Sequence, residues 1–156
     1  MKKVVLAFSG GLDTSFCVPY LKNEKGLEVH TVLVNTGGFS KEEAARIEER
    51  ALTLGAASHT TVDAVDTYYN KGLKYLIYGN VLKNNTYPLS VSSERVFQAL
   101  EVLNTVKKIG ADYVAHGSTG AGNDQVRFDI VFEIMAPEVE ILAPIRELEI
   151  SRKDEI

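Results

Sequence analysis

The feature that most constrains the fold is a short apolar run that ends in paired glycines. Val4-Val5-Leu6-Ala7-Phe8 is continuously apolar, and Ser9-Gly10-Gly11 follows it directly. Such a run is typical of a strand that is buried on both faces, as in a parallel sheet. We predict that a helix follows from about Asp13 to Lys25. The opening of the chain therefore indicates an α/β protein.

The pattern of a strand, a glycine-containing turn and a helix repeats along the chain. Further strands are predicted at residues 28–35, 58–63, 113–116 and 140–143. The capping box Ser40-Lys41-Glu42-Glu43 predicts the start of a helix, and Gly55 predicts its end. Further helices are predicted at residues 68–78, 94–109 and 123–136. Residues 80–93 are predicted to be a loop. The predicted fold is a doubly wound, mostly parallel sheet of about five strands with helices on both faces.

Length, composition and charge indicate a single globular domain. The length of 156 residues is typical of one domain, and 45% hydrophobic with 24% charged residues argues against disorder. The net charge of −4 gives no electrostatic footprint for nucleic acid. Cys17 stands alone, which fits a reducing compartment, and no apolar run approaches the ~18 residues of a membrane span. We expect a cytoplasmic protein with no nucleic-acid or membrane partner.

The segment Ser9-Gly10-Gly11-Leu12-Asp13-Thr14-Ser15 predicts a phosphate site. It lies at the carboxyl end of a strand, where open α/β sheets bind ligands. Glycines allow an anion to approach the backbone, the helix start favours negative charge, and the hydroxyls add donors. The segment is neither a Walker A loop nor a dinucleotide fingerprint. An ordinary strand-to-helix turn is the alternative, but the string resembles the signature of the PP-loop ATP pyrophosphatases.

A second glycine-rich turn follows the strand at residues 113–116. It reads His116-Gly117-Ser118-Thr119-Gly120-Ala121-Gly122-Asn123-Asp124-Gln125-Val126-Arg127-Phe128. Asn123 and Arg127 fall at i, i+4 on one helical face, where an amide and an arginine fork suit ureido and carboxylate groups. His116 adjoins the turn and is a candidate to orient it. The alternative is a surface turn with Arg127 in a salt bridge.

The second string closely resembles the His-Gly-x-Thr-Gly-x-Gly-Asn-Asp-Gln-Val-Arg-Phe segment of the argininosuccinate synthase family. Tyr87, Ser92 and Arg95 keep the spacing of the family's acceptor-binding segment, and Ala143-Pro144-Ile145-Arg146 resembles its Pro-x-Arg segment. The resemblance implies an adenine nucleotide alpha hydrolase-like fold, with a PP-loop ATP-binding domain at residues 1–150. Residues 151–156 are expected to begin a truncated following segment. In the family, a longer catalytic and oligomerising region follows.

The resemblance also implies site residues and a reaction. ATP would be held by Ala7, Phe8, Ser9, Gly10, Gly11, Leu12, Asp13, Thr14, Ser15, Val34 and Gly117. Aspartate would be bound by Thr119, Asn123 and Asp124, and citrulline by Tyr87, Ser92, Asn123 and Arg127. The catalytic side chains would be Asp13, Asp124 and Arg127. The family adenylates the ureido oxygen of citrulline with ATP and Mg²⁺, and aspartate then displaces AMP to give argininosuccinate.

Departures from the family's pattern leave the acceptor open. Val91 and Glu94 stand in the acceptor segment where the family usually carries threonine and alanine, so citrulline or a modified citrulline are both candidates. Two other functions stay open, namely another PP-loop enzyme acting on a tRNA base or a purine nucleotide, and a noncatalytic adenine-nucleotide sensor. We expect the full-length enzyme to be a homo-oligomer and this fragment alone to be inactive. Gly10→Val is expected to abolish nucleotide binding by filling the phosphate space.

Overall fold

Five parallel strands form the centre of the protein. The computed structural model describes residues 1–120 and 122–148. The strands of the main sheet are β1 (Lys3–Ala7), β2 (Glu28–Asn35), β3 (Ser58–Asp63), β6 (Tyr113–His116) and β7 (Glu140–Leu142). Two short strands, β4 (Leu82–Lys83) and β5 (Tyr87–Pro88), form an antiparallel hairpin. The main sheet has the order β3-β2-β1-β6-β7, and all its pairs are parallel.

Helices connect the strands. They are α1 (Leu12–Asn23), α2 (Lys41–Thr53), α3 (Val65–Tyr68), α4 (Lys74–Tyr78), α5 (Ser90–Ile109), α6 (Asp124–Met135) and α7 (Pro144–Glu147), with a π-helical segment (Tyr69–Leu73) between α3 and α4. The chain runs from β1 outward through β2 to β3 and then returns to place β6 on the other side of β1. This reversal makes a crevice at the carboxyl ends of β1 and β6, where ligands bind in such sheets.

The core lies in two layers, one on each face of the sheet. Val4 and Leu6 of β1 pack with α1 and with Ile145 of α7 on one face. Val5 packs with α5 and α6 on the other face. Each of these β1 side chains is fully buried. The doubly wound fold with helices on both faces is therefore confirmed, and β1 is buried on both faces as its apolar run predicts.

The predicted ends of two helices are confirmed. The Ser40 hydroxyl accepts a hydrogen bond from the Glu43 N–H while the Glu43 carboxylate accepts one from the Ser40 N–H, so the capping box opens α2. Gly55 lies just beyond α2 with φ +101°, and Gly110 ends α5 with φ +67°. Both conformations strain residues that carry a Cβ, which explains why glycine occupies them.

The helical region at residues 65–78 is less regular than its pattern predicts. The π-helical segment separates α3 from α4, and Gly72 lies within it. A Cβ at Gly72 would come within 2.6 Å of Phe97 Cε2 on α5. The close approach of this segment to α5 therefore requires glycine.

The loop prediction for residues 80–93 is wrong in two places, because a short hairpin lies within the segment and α5 takes up its last four residues. Asn84 and Asn85 have φ of +55° and +56° and turn the chain between β4 and β5, a conformation that asparagine tolerates well. Helix α5 begins at Ser90 and not at Glu94. Serine favours turns and caps over helix interiors, so the serines at 90–93 indicate a loop. A tertiary contact opposes this preference, because the Tyr68 hydroxyl donates to the Ser90 carbonyl at 2.7 Å.

The end of the described chain adds one element that the sequence did not indicate. Pro144 occupies the first turn of α7, where its missing N–H costs no hydrogen bond. Residues 151–156, predicted to begin a following segment, lie outside the described residues. Within the described residues, no helix is long and apolar enough to cross a membrane.

Candidate functional site

A large cavity lies at the carboxyl ends of β1, β2 and β6. Its volume is about 1070 Å³, which exceeds the usual range for one drug-sized ligand. Segments that are far apart in the chain line it: the turn after β1, the end of β2, the start of α5 and the turn after β6. The crevice that the sheet topology creates is therefore large enough for a nucleotide and an amino acid together.

Most of the predicted site residues line this cavity. They are Ala7, Phe8, Ser9, Gly11, Leu12, Asp13, Thr14, Val34, Tyr87, Ser92, Gly117, Thr119, Asn123, Asp124 and Arg127. Gly10 and Ser15 do not line it. The structure thus brings together the groups expected for ATP, aspartate and citrulline, while the individual roles of these residues stay predictions.

The start of α1 is suited to an anion. Gly11 precedes the helix in an extended conformation and has no side chain to cap it, while its own N–H donates to Ser9 Oγ at 3.4 Å. The uncapped first turn presents N–H groups and the positive end of the helix dipole at the cavity. Ser9 Oγ and Thr14 Oγ1 lie 3.4 Å apart beside it. These features fit the phosphates of a nucleotide.

Ser15 is the exception among the predicted phosphate donors. Its side chain is buried beneath the first turn of α1, and Ser15 Oγ has no hydrogen-bond partner among the described residues. A buried hydroxyl without a partner loses the hydrogen bonds that it makes to water in the unfolded chain. Rotation of the side chain toward the cavity would be needed for it to reach a phosphate.

Helix α2 holds the turn after β1 from outside the cavity. Arg50 donates from Nη1 to the Gly10 carbonyl at 2.9 Å. Gly10 has φ +74°, and a Cβ there would lie 3.0 Å from Ile47 Cγ1. The expected reason for Gly10 is therefore wrong: a side chain at Gly10 would meet α2 and would not fill the phosphate space. Glycine is needed for the backbone conformation and for packing on Ile47.

The turn after β6 packs directly on the turn after β1. A Cβ at Gly117 would lie 3.0 Å from Thr14 Cγ2 and 3.2 Å from the backbone nitrogen of Thr14. Backbone atoms cannot move aside as a flexible side chain can. Gly117 is thus the point where the predicted phosphate site and the predicted amino-acid site are in contact.

Two arginines and one carboxylate form an ionic cluster on the opposite wall. Asp124, in the first turn of α6, accepts from Arg127 Nη1 at 2.7 Å and from Arg95 Nε at 3.2 Å. Arg127 Nη2 also donates to Ser92 Oγ at 3.0 Å. Because these bonds fix both arginines, their remaining N–H groups are already oriented for an anionic or ureido group.

Glu94 adds a negative charge to the same wall. Its Oε1 accepts from Thr36 Oγ1 at 2.5 Å and from Gln98 Nε2 at 3.3 Å, and its Oε2 lies 3.7 Å from Arg95 Nη1. Thr36 follows β2, so Glu94 joins the start of α5 to the β2 end of the cavity. Together with Asp124 it balances the charges of Arg95 and Arg127.

Several residues that shape the site carry no motif signal. Arg50 and Ile47 belong to an ordinary amphipathic helix in the sequence. Asn35 Oδ1 accepts hydrogen bonds from the N–H groups of Gly37 and Phe39 and so folds the turn after β2. Asparagine before two glycines is a turn signal that could have indicated this. Nothing in the sequence places Arg50 near Gly10, 40 residues away.

The sequence matches known proteins along almost its whole length. A family model described as "Arginosuccinate synthase N-terminal HUP domain" matches residues 3–156. The argininosuccinate synthase of Saccharolobus solfataricus is 46% identical over 154 residues, which cover 99% of this chain and 39% of that protein. That of Xylella fastidiosa is 48% identical over 148 residues, covering 95% and 36%. The chain therefore spans about two fifths of the length of these relatives.

Solved structures support the fold. The NMN synthetase of Francisella tularensis has a TM-score of 0.58 at 12% identity and covers 76% of this chain and 46% of that chain. A predicted subunit of tRNA methyltransferase from Methanocaldococcus jannaschii has a TM-score of 0.56 at 21% identity, covering 94% and 69%. At these identities the likeness concerns the fold alone. The family match over residues 3–156 is more specific, and by it the chain belongs to the argininosuccinate synthase family.

Proposed function

We propose that the chain is the nucleotide-binding part of an AMP-forming carbon–nitrogen ligase of the argininosuccinate synthase type. The observation that carries this proposal is that the start of α1 and the Arg95–Asp124–Arg127 cluster line the same cavity. A site for a nucleotide alone would need the start of α1 but not the cluster of two arginines and Asp124. The cytoplasm and arginine biosynthesis are the expected setting of such an enzyme.

ATP would bind along the turn after β1. The N–H groups of the first turn of α1 and the hydroxyls of Ser9 and Thr14 would hold its phosphates, and Val34 at the end of β2 would contact the adenine. Mg²⁺ usually binds one or two carboxylates together with substrate phosphates. Asp13 lines the cavity beside the phosphate site and is the carboxylate proposed for this metal.

The acceptor and aspartate would bind on the α6 side. Arg127, Ser92, Tyr87 and Asn123 would position the citrulline. Thr119 and Asp124, again with Asn123, would position the aspartate. The ureido oxygen would attack the α-phosphorus of ATP with loss of pyrophosphate, and the aspartate amine would then displace AMP. The contribution of the chain is placement of the reactants and stabilisation of phosphate charge.

The proposal is tested by titration calorimetry of the 156-residue chain. ATP is expected to bind, and these residues alone are expected not to release AMP when citrulline and aspartate are added. Arg127→Gln should weaken citrulline binding by about tenfold or more, the loss of charge-assisted hydrogen bonds, while ATP binding changes little. Arg46→Gln, an exposed arginine on α2 outside the cavity, is the control. Failure of the wild-type chain to bind ATP would refute the proposal.

A competition experiment distinguishes citrulline from a modified citrulline as the acceptor substrate. We propose that it carries a ureido group but is modified away from the reacting end, because Arg127 and Ser92 match the family while Val91 and Glu94 do not. Citrulline and an α-N-acylated citrulline are compared as competitors in the wild type and in Val91→Thr/Glu94→Ala. The double variant should shift preference toward plain citrulline. A wild type that prefers plain citrulline by a wide margin contradicts the modified acceptor and leaves the ligase proposal standing.

A further inference from the structure

His116, the last residue of β6, links the turn after β6 to helix α6. Its side chain is only 1% exposed and stacks on Phe128 with ring centroids 5.7 Å apart. Nδ1 accepts a hydrogen bond from the Ser118 N–H at 3.2 Å, and Nε2 lies 2.8 Å from Asp129 Oδ1. Both ring nitrogens therefore have partners, one in the turn and one on the helix.

These two partners determine the tautomer of the ring. The Ser118 N–H can only donate, so Nδ1 must be unprotonated, and Nε2 then carries the proton that it donates to Asp129. Burial lowers the pKa of His116, although the hydrogen bond to Asp129 opposes this effect. A neutral ring of this one tautomer is what the contact with Ser118 requires.

Arg146 extends the connection from α7. It donates from Nη1 to Asp129 Oδ2 at 2.5 Å and lies 3.4 Å from Gln125 Oε1. Gln125 Nε2 in turn donates to the Gly120 carbonyl at 3.0 Å. Two chains of hydrogen bonds thus run from Arg146 to the turn after β6, one reaching Ser118 and the other reaching Gly120.

The position of this turn determines how the two halves of the cavity meet. Gly117 lies against Thr14, where a Cβ would come within 3.2 Å of the backbone nitrogen, and Thr119 lines the cavity two residues later. A shift of the turn would therefore change both its contact with the phosphate site and the position of Thr119. Misplacement of a binding group by about 1 Å can cost a hundredfold in rate.

We propose that Arg146, Asp129 and His116 are positioning residues that set the turn Gly117–Gly120 for the amino-acid substrate. None of the three is expected to contact the reacting atoms. Asp129 holds His116 in the tautomer that accepts from Ser118, and Arg146 holds Asp129 and Gln125 together. This inference rests on the proposed function for its substrate, but the geometry of the turn can be tested without any ligand.

The test compares Asp129→Asn and Arg146→Gln with Glu133→Gln, an exposed carboxylate one turn further along α6. Three quantities are measured on the 156-residue chain: amide exchange at Ser118, whose N–H donates to His116, the His116 tautomer from its ring nitrogen shifts, and affinity for aspartate in the presence of ATP. The first two need no ligand. Thermal unfolding of each variant is recorded so that a general loss of stability is recognised.

We expect Asp129→Asn to speed exchange at Ser118 by about tenfold, the effect of losing one charge-assisted hydrogen bond, and to give a mixture of His116 tautomers. Arg146→Gln should also speed exchange at Ser118, by less than Asp129→Asn does because Asp129 keeps its contact with His116, and Arg146→Lys should restore part of the protection. Both primary variants should weaken aspartate binding by about tenfold, whereas Glu133→Gln should match the wild type.

Unchanged exchange and an unchanged tautomer in Asp129→Asn and Arg146→Gln would overturn the inference, even if these variants unfold at a lower temperature. So would altered exchange combined with wild-type affinity for aspartate. If the wild-type chain binds neither ATP nor aspartate, the proposed function fails. The exchange and tautomer measurements would then still decide whether these residues position the turn.

Discussion

The side chain of Ser15 lowers the stability of the ligand-free protein but could serve a bound ligand. Its hydroxyl is buried in the first turn of α1 outside the cavity lining and has no partner among the described residues. Serine is also a weaker helix former than alanine in the first turns of α1. Both facts favour alanine for stability. A hydroxyl that rotates toward the cavity when phosphate is bound would compensate for this cost.

The first prediction is that Ser15→Ala separates stability from binding. The free energy of unfolding should rise by about 1 kcal/mol, since an unsatisfied buried hydroxyl is removed. The affinity for ATP should fall by about tenfold, the value of one hydrogen bond to a charged group. Urea unfolding and calorimetry measure the two effects. Thr105→Val is the control because Thr105 Oγ1 is bonded to the Glu101 carbonyl outside the cavity.

Thr105→Val should lower stability and leave ATP binding unchanged. An increase of stability in Ser15→Ala without any loss of ATP affinity would show that the hydroxyl does not reach the phosphates.

The second prediction concerns Gly10, whose importance is conformational. Gly10 and Gly26 both have positive φ, +74° and +65°, but a Cβ at Gly26 would meet nothing within 4 Å. Gly26→Ala should lower the free energy of unfolding by about 1–2 kcal/mol, the cost of the left-handed conformation. Gly10→Ala should cost more, because Ile47 must also move. Urea unfolding of both variants measures the difference.

A double-mutant cycle isolates the contact between Gly10 and Ile47. Gly10→Ala combined with Ile47→Ala should destabilise the protein by less than the sum of the two single variants. Additive costs would show that Ile47 does not limit the space at Gly10.

At the scale of elements, the start of α5 depends on the helical region before it. The Tyr68 hydroxyl donates to the Ser90 carbonyl and lies 3.1 Å from Ser93 Oγ. The first turn that it supports carries Ser92, which bonds Arg127, and Glu94, which bonds Thr36. The wall of the cavity opposite α1 therefore relies on a contact 22 residues away in the chain.

The third prediction is that Tyr68→Phe loosens this wall. Loss of the hydroxyl should lower the free energy of unfolding by about 1 kcal/mol, as for a typical hydrogen bond. It should also speed amide exchange at Ser93 and Glu94, while exchange at the carboxyl end of α5 stays unchanged. Tyr69→Phe, a half-exposed neighbour on the π-helical segment, should do neither. Equal exchange in the two variants would contradict the role given to Tyr68.

At the scale of the whole molecule, two histidines make stability depend on pH. Burial lowers the pKa values of His59 and His116 below their usual 6.5, with Glu48 opposing the effect at His59 and Asp129 opposing it at His116. The unfolded chain then takes up protons at a higher pH than the folded chain. Stability is therefore fully present above about pH 6.5 and falls as the pH drops toward the lowered values.

The fourth prediction follows from this loss of stability at lower pH. The urea midpoint should decrease steadily between about pH 7 and pH 5, a range above the pKa of the carboxylates. His59→Asn should show a shallower decrease, since only His116 then contributes from this pair. A midpoint that stays constant or rises across this range would contradict the buried neutral state of these rings.

The sequence by itself determined the order of the five main-sheet strands and of the long helices between them, and most of their ends. Apolar runs, the Ser40 capping box and the glycines at 55 and 110 act through neighbours in the chain, so local patterns suffice to predict them. The two glycine-rich turns were also recognisable, because each follows a strand of a parallel sheet. Such turns meet at the same edge of the sheet.

Only the tertiary structure decided which distant residues shape the site. Arg50 bonds Gly10, Tyr68 holds the start of α5, Glu94 reaches Thr36, and Arg146 acts through Asp129 on His116. The four direct contacts join residues between 17 and 58 positions apart, and Asp129 in turn bonds His116, 13 positions away. Local propensity carries no information about these distances, because they depend on how helices pack on the two faces of the sheet.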